Sequence, residues 1–228
     1  MCGRYGFVPG ENFYPRYKIE NKLERLKPSY NVAPGYMMPV VFRQSETRAE
    51  LMKWGLIPFW AKDPRIGYKM INARSEGIEG KPAFRSPFKS KRCLVPASGF
   101  FEWKKTDKEK IPFYIRRKDG EMFSFAGLYD TWKDAEGVEL KSYTIITTQP
   151  NKLVGEIHNR MPVILEKQNE GTWVNPEISD PEKLLPLLSA IDENVLEAYP
   201  VSKKVNNPEN DSEDVIGRVS EKKQEKLF

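Results

Sequence analysis

Cys93-Leu94-Val95-Pro96-Ala97-Ser98-Gly99-Phe100-Phe101-Glu102-Trp103 is a dense apolar and aromatic run, and three more of similar kind follow at residues 112–117, 122–129 and 142–148. Phe, Tyr, Ile, Val and Thr dominate these segments; such side chains fit a pleated, half-buried surface. No regular helical pattern lies between them. Strands that cluster without intervening helices predict an α+β fold on antiparallel pairs, because parallel neighbours need long crossover connections. Lys118-Asp119-Gly120-Glu121 reads as a hairpin turn between two of these strands. Working outward, residues 4–8, 39–43 and 51–57 read as further strands. Pro15 interrupts the mixed helical spacing of residues 12–26, so any helix there is short or begins at the proline. Short helices are expected at 75–80, 152–157, 181–190 and 193–198. The expectation is one strand-rich, barrel-like domain over residues 1–206, flanked by short helices. A polar, charge-balanced tail over residues 207–228 is expected to fray.

The chain has 228 residues, enough for a substantial core. Its 27 aromatic residues exclude a wholly disordered chain. No apolar run reaches the roughly 18–20 residues of a membrane span, and no signal-peptide pattern follows Met1. Two cysteines, Cys2 and Cys93, make neither a disulfide framework nor a four-ligand zinc site. A reducing cytoplasm is the expected location. The net charge of +5 conceals a division: residues 1–110 carry 22 Lys and Arg against 11 Asp and Glu, and residues 111–228 carry 15 against 21. A basic front half fits a polyanionic partner, nucleic acid first, or a basic surface kept only for solubility.

Cys2 carries the most distinctive chemistry. Removal of Met1 leaves a cysteine with a free α-amine, whose pKa of about 7.7–8.0 makes it far richer in free base at neutral pH than a lysine at about 10.4. An aldehyde forms a Schiff base with that amine, and the thiol then closes a five-membered thiazolidine ring. Only an N-terminal cysteine supplies such a 1,2-aminothiol, although Cys also occurs at position 2 with no chemistry attached. His158, the single histidine, lies in a polar loop and can move protons near pH 7; a lone histidine is more commonly a packed or solvated residue. Glu102 is embedded among aromatics, where desolvation would raise its pKa toward the general-acid range, against the commoner case of a strand carboxylate facing water. Asn72 offers a donor and an acceptor and Arg74 a fork for phosphate, or the two serve as cap and surface arginine.

The run from Lys81 to Arg92 has five basic residues and no acid. Its cations read as phosphate-tracking or solvated, while Phe84 and Phe88 read as core. Phe59-Trp60, in a loop beside Pro58 and Lys62, reads as a stacking or wedging element for bases, with burial of Trp60 as the rival. There is no Walker loop, dinucleotide glycine motif, Gly-x-Ser-x-Gly elbow or His-Glu-x-x-His, so neither cofactor nor metal is expected.

Met1-Cys2-Gly3-Arg4-Tyr5, Tyr30-Asn31-Val32-Ala33-Pro34-Gly35, Trp54-Gly55-Leu56-Ile57-Pro58, Ile71-Asn72-Ala73-Arg74-Ser75-Glu76, Gly99-Phe100-Phe101-Glu102-Trp103, Ile157-His158-Asn159-Arg160-Met161-Pro162 and Tyr199-Pro200-Val201-Ser202 follow one another along the chain. In this order they resemble the SOS response-associated peptidase (SRAP) family, also known as abasic-site shielding proteins. The resemblance implies a single domain with a basic single-stranded DNA groove, loss of Met1, and a covalent bond between Cys2 and the aldehyde of an abasic site. It implies proton transfers by Glu102, sugar ring opening and adduct reversal by His158, and a hold on the opened sugar by Asn72. Thr147 would position the lesion, Arg4 and Arg74 would bind flanking phosphates, and Pro34, Phe59 and Trp60 would shape the site and wedge the strand. Phe59 stands where some members have a second Trp. A monomer is expected. Two other functions remain in view at this stage: a thiol peptidase with Cys2 as nucleophile and His158 as base, and a non-catalytic single-strand binder.

Overall fold

A computed structural model describes residues 2–219; Met1, whose loss is expected, and residues 220–228 of the tail lie outside them. The first half supplies β1 (Tyr5–Phe7), α1 (Phe13–Tyr17), β2 (Ser29–Val32), β3 (Met37–Arg43), β4 (Thr47–Trp54), β5 (Asn72–Arg74), α2 (Arg85–Ser90), β6 (Arg92–Ala97) and β7 (Gly99–Lys105). The second supplies β8 (Lys110–Arg117), β9 (Phe123–Lys133), β10 (Glu139–Thr148), α3 (Lys152–Gly155), β11 (Met161–Pro162), β12 (Ile164–Leu165), α4 (Glu170–Val174), α5 (Pro181–Leu184) and β13 (Leu196–Pro200). This is the expected α+β, strand-rich architecture. Strands β10, β4, β3, β6 and β9 pair in that order, and β9 returns to β10, so the five close into a barrel. A second sheet runs β13-β8-β7-β1-β2. Most pairs are antiparallel, but β10 runs parallel to both β4 and β5.

Tyr5 joins the two sheets. Its ring meets Trp54 at 5.2 Å and Phe125 at 5.8 Å between centroids, both edge-on. Its hydroxyl shares a 2.8 Å hydrogen bond with that of Tyr143 on the barrel wall, which satisfies two phenols that burial would otherwise penalise. A smaller cluster of Phe101, Tyr114, Tyr199, Val201, Val205 and Val215 covers the far face of β7 and β8.

Several local expectations are corrected. The run at 93–103 is two strands, not one: Ser98 breaks it, and β6 joins the barrel while β7 joins the second sheet. Gly99 makes the departure possible, since a Cβ there would lie 2.3 Å from the Tyr114 ring and 2.8 Å from the Ile115 carbonyl. The turn at Lys118–Glu121 forms, with Gly120 at φ +74°, but it is not a hairpin, because β8 and β9 belong to different sheets. Residues 76–80 are turns rather than helix. Residues 193–198 are one 3-10 turn leading into β13; tertiary pairing with β8 overrides the helical spacing.

The expected fraying after Asn206 is also overturned as far as Val219. Val215 is buried, Tyr199 donates to the Ile216 carbonyl at 3.0 Å, and Val201 bridges to Arg218. Asn31, fully buried, binds this segment: its Nδ2 donates to the carbonyls of Val205, Asn207 and Asn210 at 3.2, 3.1 and 2.9 Å. Asp211 returns the contact by accepting from Ser29 Oγ and the amides of Tyr30 and Asn31. Among the described residues no helix is long and apolar enough to cross a membrane.

A chain ending at Asn206 should therefore be less stable by about 2–4 kcal/mol, from the lost Val215 packing and unpaired polar groups. Urea denaturation of full-length and truncated protein checks this; equal midpoints would mean the segment is dispensable.

Candidate active site

Strand pairing puts residue 2 where it lies. β1 pairs with β7 at Tyr5–Phe100, and one step earlier the Phe101 amide donates to the Arg4 carbonyl at 3.0 Å. The chain before Arg4 is thereby led along β7 toward Glu102. Cys2 is fully buried. Asn72, first residue of β5, donates from Nδ2 to the Cys2 carbonyl at 2.8 Å. Its Oδ1 is buried and has no hydrogen-bond partner among the described residues. The parallel pairing of β5 with β10 fixes Asn72 opposite Ile145, and the Trp54 indole N–H supports its neighbour by donating to the Ile71 carbonyl at 2.9 Å.

Glu102 is 3% exposed. Burial pushes its carboxyl up to about 7, so near neutral pH it exchanges protons instead of standing permanently ionised. The Cys2 thiol is pushed well above the ordinary thiol range, first by its own burial and then by the Glu102 carboxylate. His158 follows α3 at the end of a tight turn, its amide donating to the Val154 carbonyl at 2.8 Å. Its Nε2 lies 3.9 Å from Glu102 Oε2. Its Nδ1 lies 3.1 Å from the Arg160 amide and 3.3 Å from the Arg160 carbonyl, so the neutral ring finds a backbone partner there in either tautomer. Burial lowers the His158 pKa, which favours that neutral form. The four residues expected to carry the chemistry, Cys2, Asn72, Glu102 and His158, thus meet from four separated stretches of chain.

The other expected residues fare unevenly. Arg74 lines an open cleft of about 440 Å³ with Gln149, His158, Asn159 and Arg160. Phe59 and Trp60 are 59% and 49% exposed, so burial of Trp60 is set aside. Their loop is held by the Phe59 amide on Asp130 at 2.9 Å. It is also held by a backbone approach at Gly55, where φ is +120° and a Cβ would lie 2.6 Å from the Gly67 carbonyl. Pro34 is half-buried at the end of β2. Arg4 is committed to the scaffold, donating to Asn31 Oδ1 at 2.8 Å and to the carbonyls of Val205 and Asn206 at 2.9 and 3.3 Å. Three of its five donors are spent before any phosphate arrives. Thr147 is fully buried and reaches the cleft only through Arg160, whose Nη2 donates to its carbonyl at 2.7 Å.

Three of the five cations in the Lys81–Arg92 run are taken up by the fold, while Arg85 and Lys89 are exposed. Lys81 bonds the carbonyls of Arg74 and Glu76, and Lys91 pairs with Asp130 at 2.6 Å. Arg92 is buried and donates to the carbonyls of Phe88, Lys89, Trp173, Asn175 and Ile178. Only folding shows these carbonyls. Phe84 and Phe88 are core, as expected.

Arg160 and Glu76 escaped the reading of single residues. They form a two-pronged pair at 2.5 and 2.9 Å, which pulls the Glu76 carboxyl down to about 2. The signal was present: Arg160 stands two residues after the only histidine.

The Glu102 shift makes a stability prediction. Its folded pKa is raised from about 4.5 to about 7, so the folded state holds the proton more tightly. Stability from this group is complete below pH 4.5 and falls as pH rises through 7. Glu102→Gln should remove that fall and make the protein more stable than wild type at pH 8 by about 3 kcal/mol. Urea denaturation at pH 5 and pH 8 reads it; a difference that does not change with pH would place the carboxylate in water.

Comparison with known proteins agrees with this architecture. Residues 1–208 match the family described as SOS response associated peptidase (SRAP). The chain is 48% identical over 221 residues to "Abasic site processing protein YoqW" of Bacillus subtilis (strain 168), covering 95% of this chain and 99% of that protein. It is 31% identical to "Abasic site processing protein HMCES" of Xenopus tropicalis, covering 96% of this chain and 78% of that one. A crystal structure of a Bacteroides thetaiotaomicron protein superposes with a TM-score of 0.88 at 31% identity, over 96% of this chain and all of that one. With the motifs in order and the match spanning the whole barrel and second sheet, this chain belongs to the SRAP family.

Proposed function

We propose that the protein senses and shields abasic sites in single-stranded DNA by forming a covalent cross-link through Cys2. The observation that carries this reading is the buried Glu102 carboxyl next to the Cys2 thiol, with Asn72 on the Cys2 carbonyl and His158 3.9 Å beyond. The close relatives' names, which speak of abasic-site processing, support the substrate class.

The chemistry proceeds by a condensation followed by a ring-closing addition. Once Met1 has been removed, the Cys2 α-amine adds to the C1′ aldehyde of the opened deoxyribose, and loss of water gives an imine. Glu102, with a pKa of about 7, takes a proton from the attacking amine and returns it to the departing hydroxyl. The thiol then adds to the imine carbon: the S–C1′ bond forms, and the thiol proton passes by way of Glu102 to the imine nitrogen. The product is a thiazolidine with no C=N bond left to hydrolyse. The raised thiol pKa fits this order, since a protonated thiol waits while the amine attacks. It disfavours a thiolate peptidase acting on other proteins, which needs the opposite shift. Neutral His158 serves ring opening through Nε2, the ring nitrogen 3.9 Å from Glu102. Asn72 Oδ1 accepts from the opened sugar while Nδ2 holds Cys2. Arg74 receives a flanking phosphate, and Phe59 and Trp60 stack or wedge bases. Thr147 positions the lesion by holding Arg160. Removal of Met1 by the same Glu102 is part of the proposal.

The test is a denaturing gel with an abasic single-stranded oligonucleotide. Wild type should give a slow-migrating band that Cys2→Ala does not form, and absence of that band would sink the proposal. Glu102→Gln should slow its formation by about 10²–10⁴-fold and abolish the rise in rate near pH 7. Cys2→Ala with a free α-amine should still form an imine, with nothing to close on it, and should therefore cleave the strand by β-elimination more than wild type. No such increase would count against the imine.

A further inference from the structure

The cleft on the Arg74 side accounts for only one direction along the strand. His158 and Asn159 separate it from a second groove of about 650 Å³, whose walls include Glu102, Trp103, Lys105 and Lys110. A sugar held at Cys2 has a neighbour on each side, so a strand that enters by one cleft leaves by the other. We infer that Lys105 and Lys110 form a phosphate subsite for the strand flank that leaves the Cys2 pocket away from Arg74. The inference rests on the single-stranded DNA reading above and adds its second flank.

The arrangement of the two lysines argues for a ligand. Lys105 on β7 and Lys110 on β8 are cross-strand partners in register. Like charges directly opposite one another in an antiparallel pair are destabilising. Both side chains are exposed, and among the described residues neither makes an ion pair. Of the two hairpin carboxylates, Glu109 is bonded to Lys203, and Asp107 makes no ion pair with either lysine. Two facing ammonium groups at the mouth of a groove make a site for one anion between them. The wall beside them is fixed, because the Trp103 indole N–H donates to Asn206 Oδ1 at 2.8 Å. Asn206 in turn belongs to the segment tied to β2 through Asn31. A DNA phosphate is the anion that the neighbouring Cys2 pocket brings. The lysines hold it as point charges, without the base-edge geometry that would read sequence.

The pair also predicts opposite signs for stability and binding. Lys110→Glu replaces a repulsive pair by an attractive one, so its thermal midpoint should equal or exceed that of wild type while DNA binding falls. Binding is read by fluorescence anisotropy with single strands carrying a tetrahydrofuran abasic analogue, which has no aldehyde and cannot cross-link. Three strands place the analogue in the middle, at the 5′ end and at the 3′ end. For the middle lesion, Lys105→Gln/Lys110→Gln should reduce the slope of log affinity against log salt by about 0.7, the amount for one phosphate of a single strand. The same loss should appear with one of the two end-lesion strands and vanish with the other, which lacks the flank in question. Unchanged binding to the middle lesion would overturn the inference. So would an equal loss on both end-lesion strands, because that is a general field and not a subsite. Wild-type cross-linking to an aldehyde-bearing strand, run alongside, reports on the Cys2 chemistry separately, so failure of the subsite and failure of the cross-link are told apart.

Discussion

One backbone hydrogen bond, from the Phe101 amide to the Arg4 carbonyl, governs the site. A chain terminus is ordinarily the least ordered part of a domain, and here it must deliver its first functional residue to a buried carboxylate. The short strand β1 achieves this by pairing on both sides, with β7 and with β2, while Tyr5 fills the space between sheet and barrel. Arg4 adds the tie to Asn31 and to the segment after β13. The last described residues therefore hold the first. Loss of order at either end would release Cys2 from the face where Glu102 lies.

Burial of that terminus sets the electrostatics. Removing Glu102 from water brings its pKa up to about 7, and the same dry surroundings keep the Cys2 thiol protonated. In the proposed mechanism one desolvation thus assigns two roles: a carboxyl that trades protons and a sulfur that acts second. His158 is aligned by the backbone of Arg160, and the Arg160 side chain by Glu76 and Thr147. Of the four residues proposed to react, Asn72 and Glu102 sit on strands, Cys2 precedes β1 and His158 lies in the loop after α3, while the charges proposed for DNA lie at the rims. This division lets the centre stay dry while the edges remain wet.

Much of this was legible beforehand. Aromatic and β-branched runs marked β8, β9 and β10. The isolated histidine, the cysteine at position 2 and the glutamate among aromatics each stood out by chemistry. The failures share one cause. Whether residues 93–103 are one strand or two, and whether residues 118–121 make a hairpin, depends on which sheet each strand enters, and a local pattern carries no such information. Residues 207–219 read as a tail because they are polar, yet their order comes from Asn31 and Asp211, far apart in sequence. The cations of the Lys81–Arg92 run read as phosphate-tracking or solvated, and Arg92 is neither, because charge is visible in a sequence and the carbonyls that absorb Arg92 are not.

By itself the sequence determined the inventory: an α+β domain, a 1,2-aminothiol available once Met1 is gone, and a basic front half. These depend on composition, local pattern and covalent structure, which are properties of the chain as written. Only the tertiary structure decided which charges remain available to a ligand and which carboxylate is dry. Asn72, Glu102 and His158 come within reach of Cys2 through pairings across 70 residues or more. The pKa values of Cys2, Glu102 and His158 follow from the solvent those pairings exclude. Lys105 and Lys110 likewise look like any other surface lysines until strand register sets them face to face.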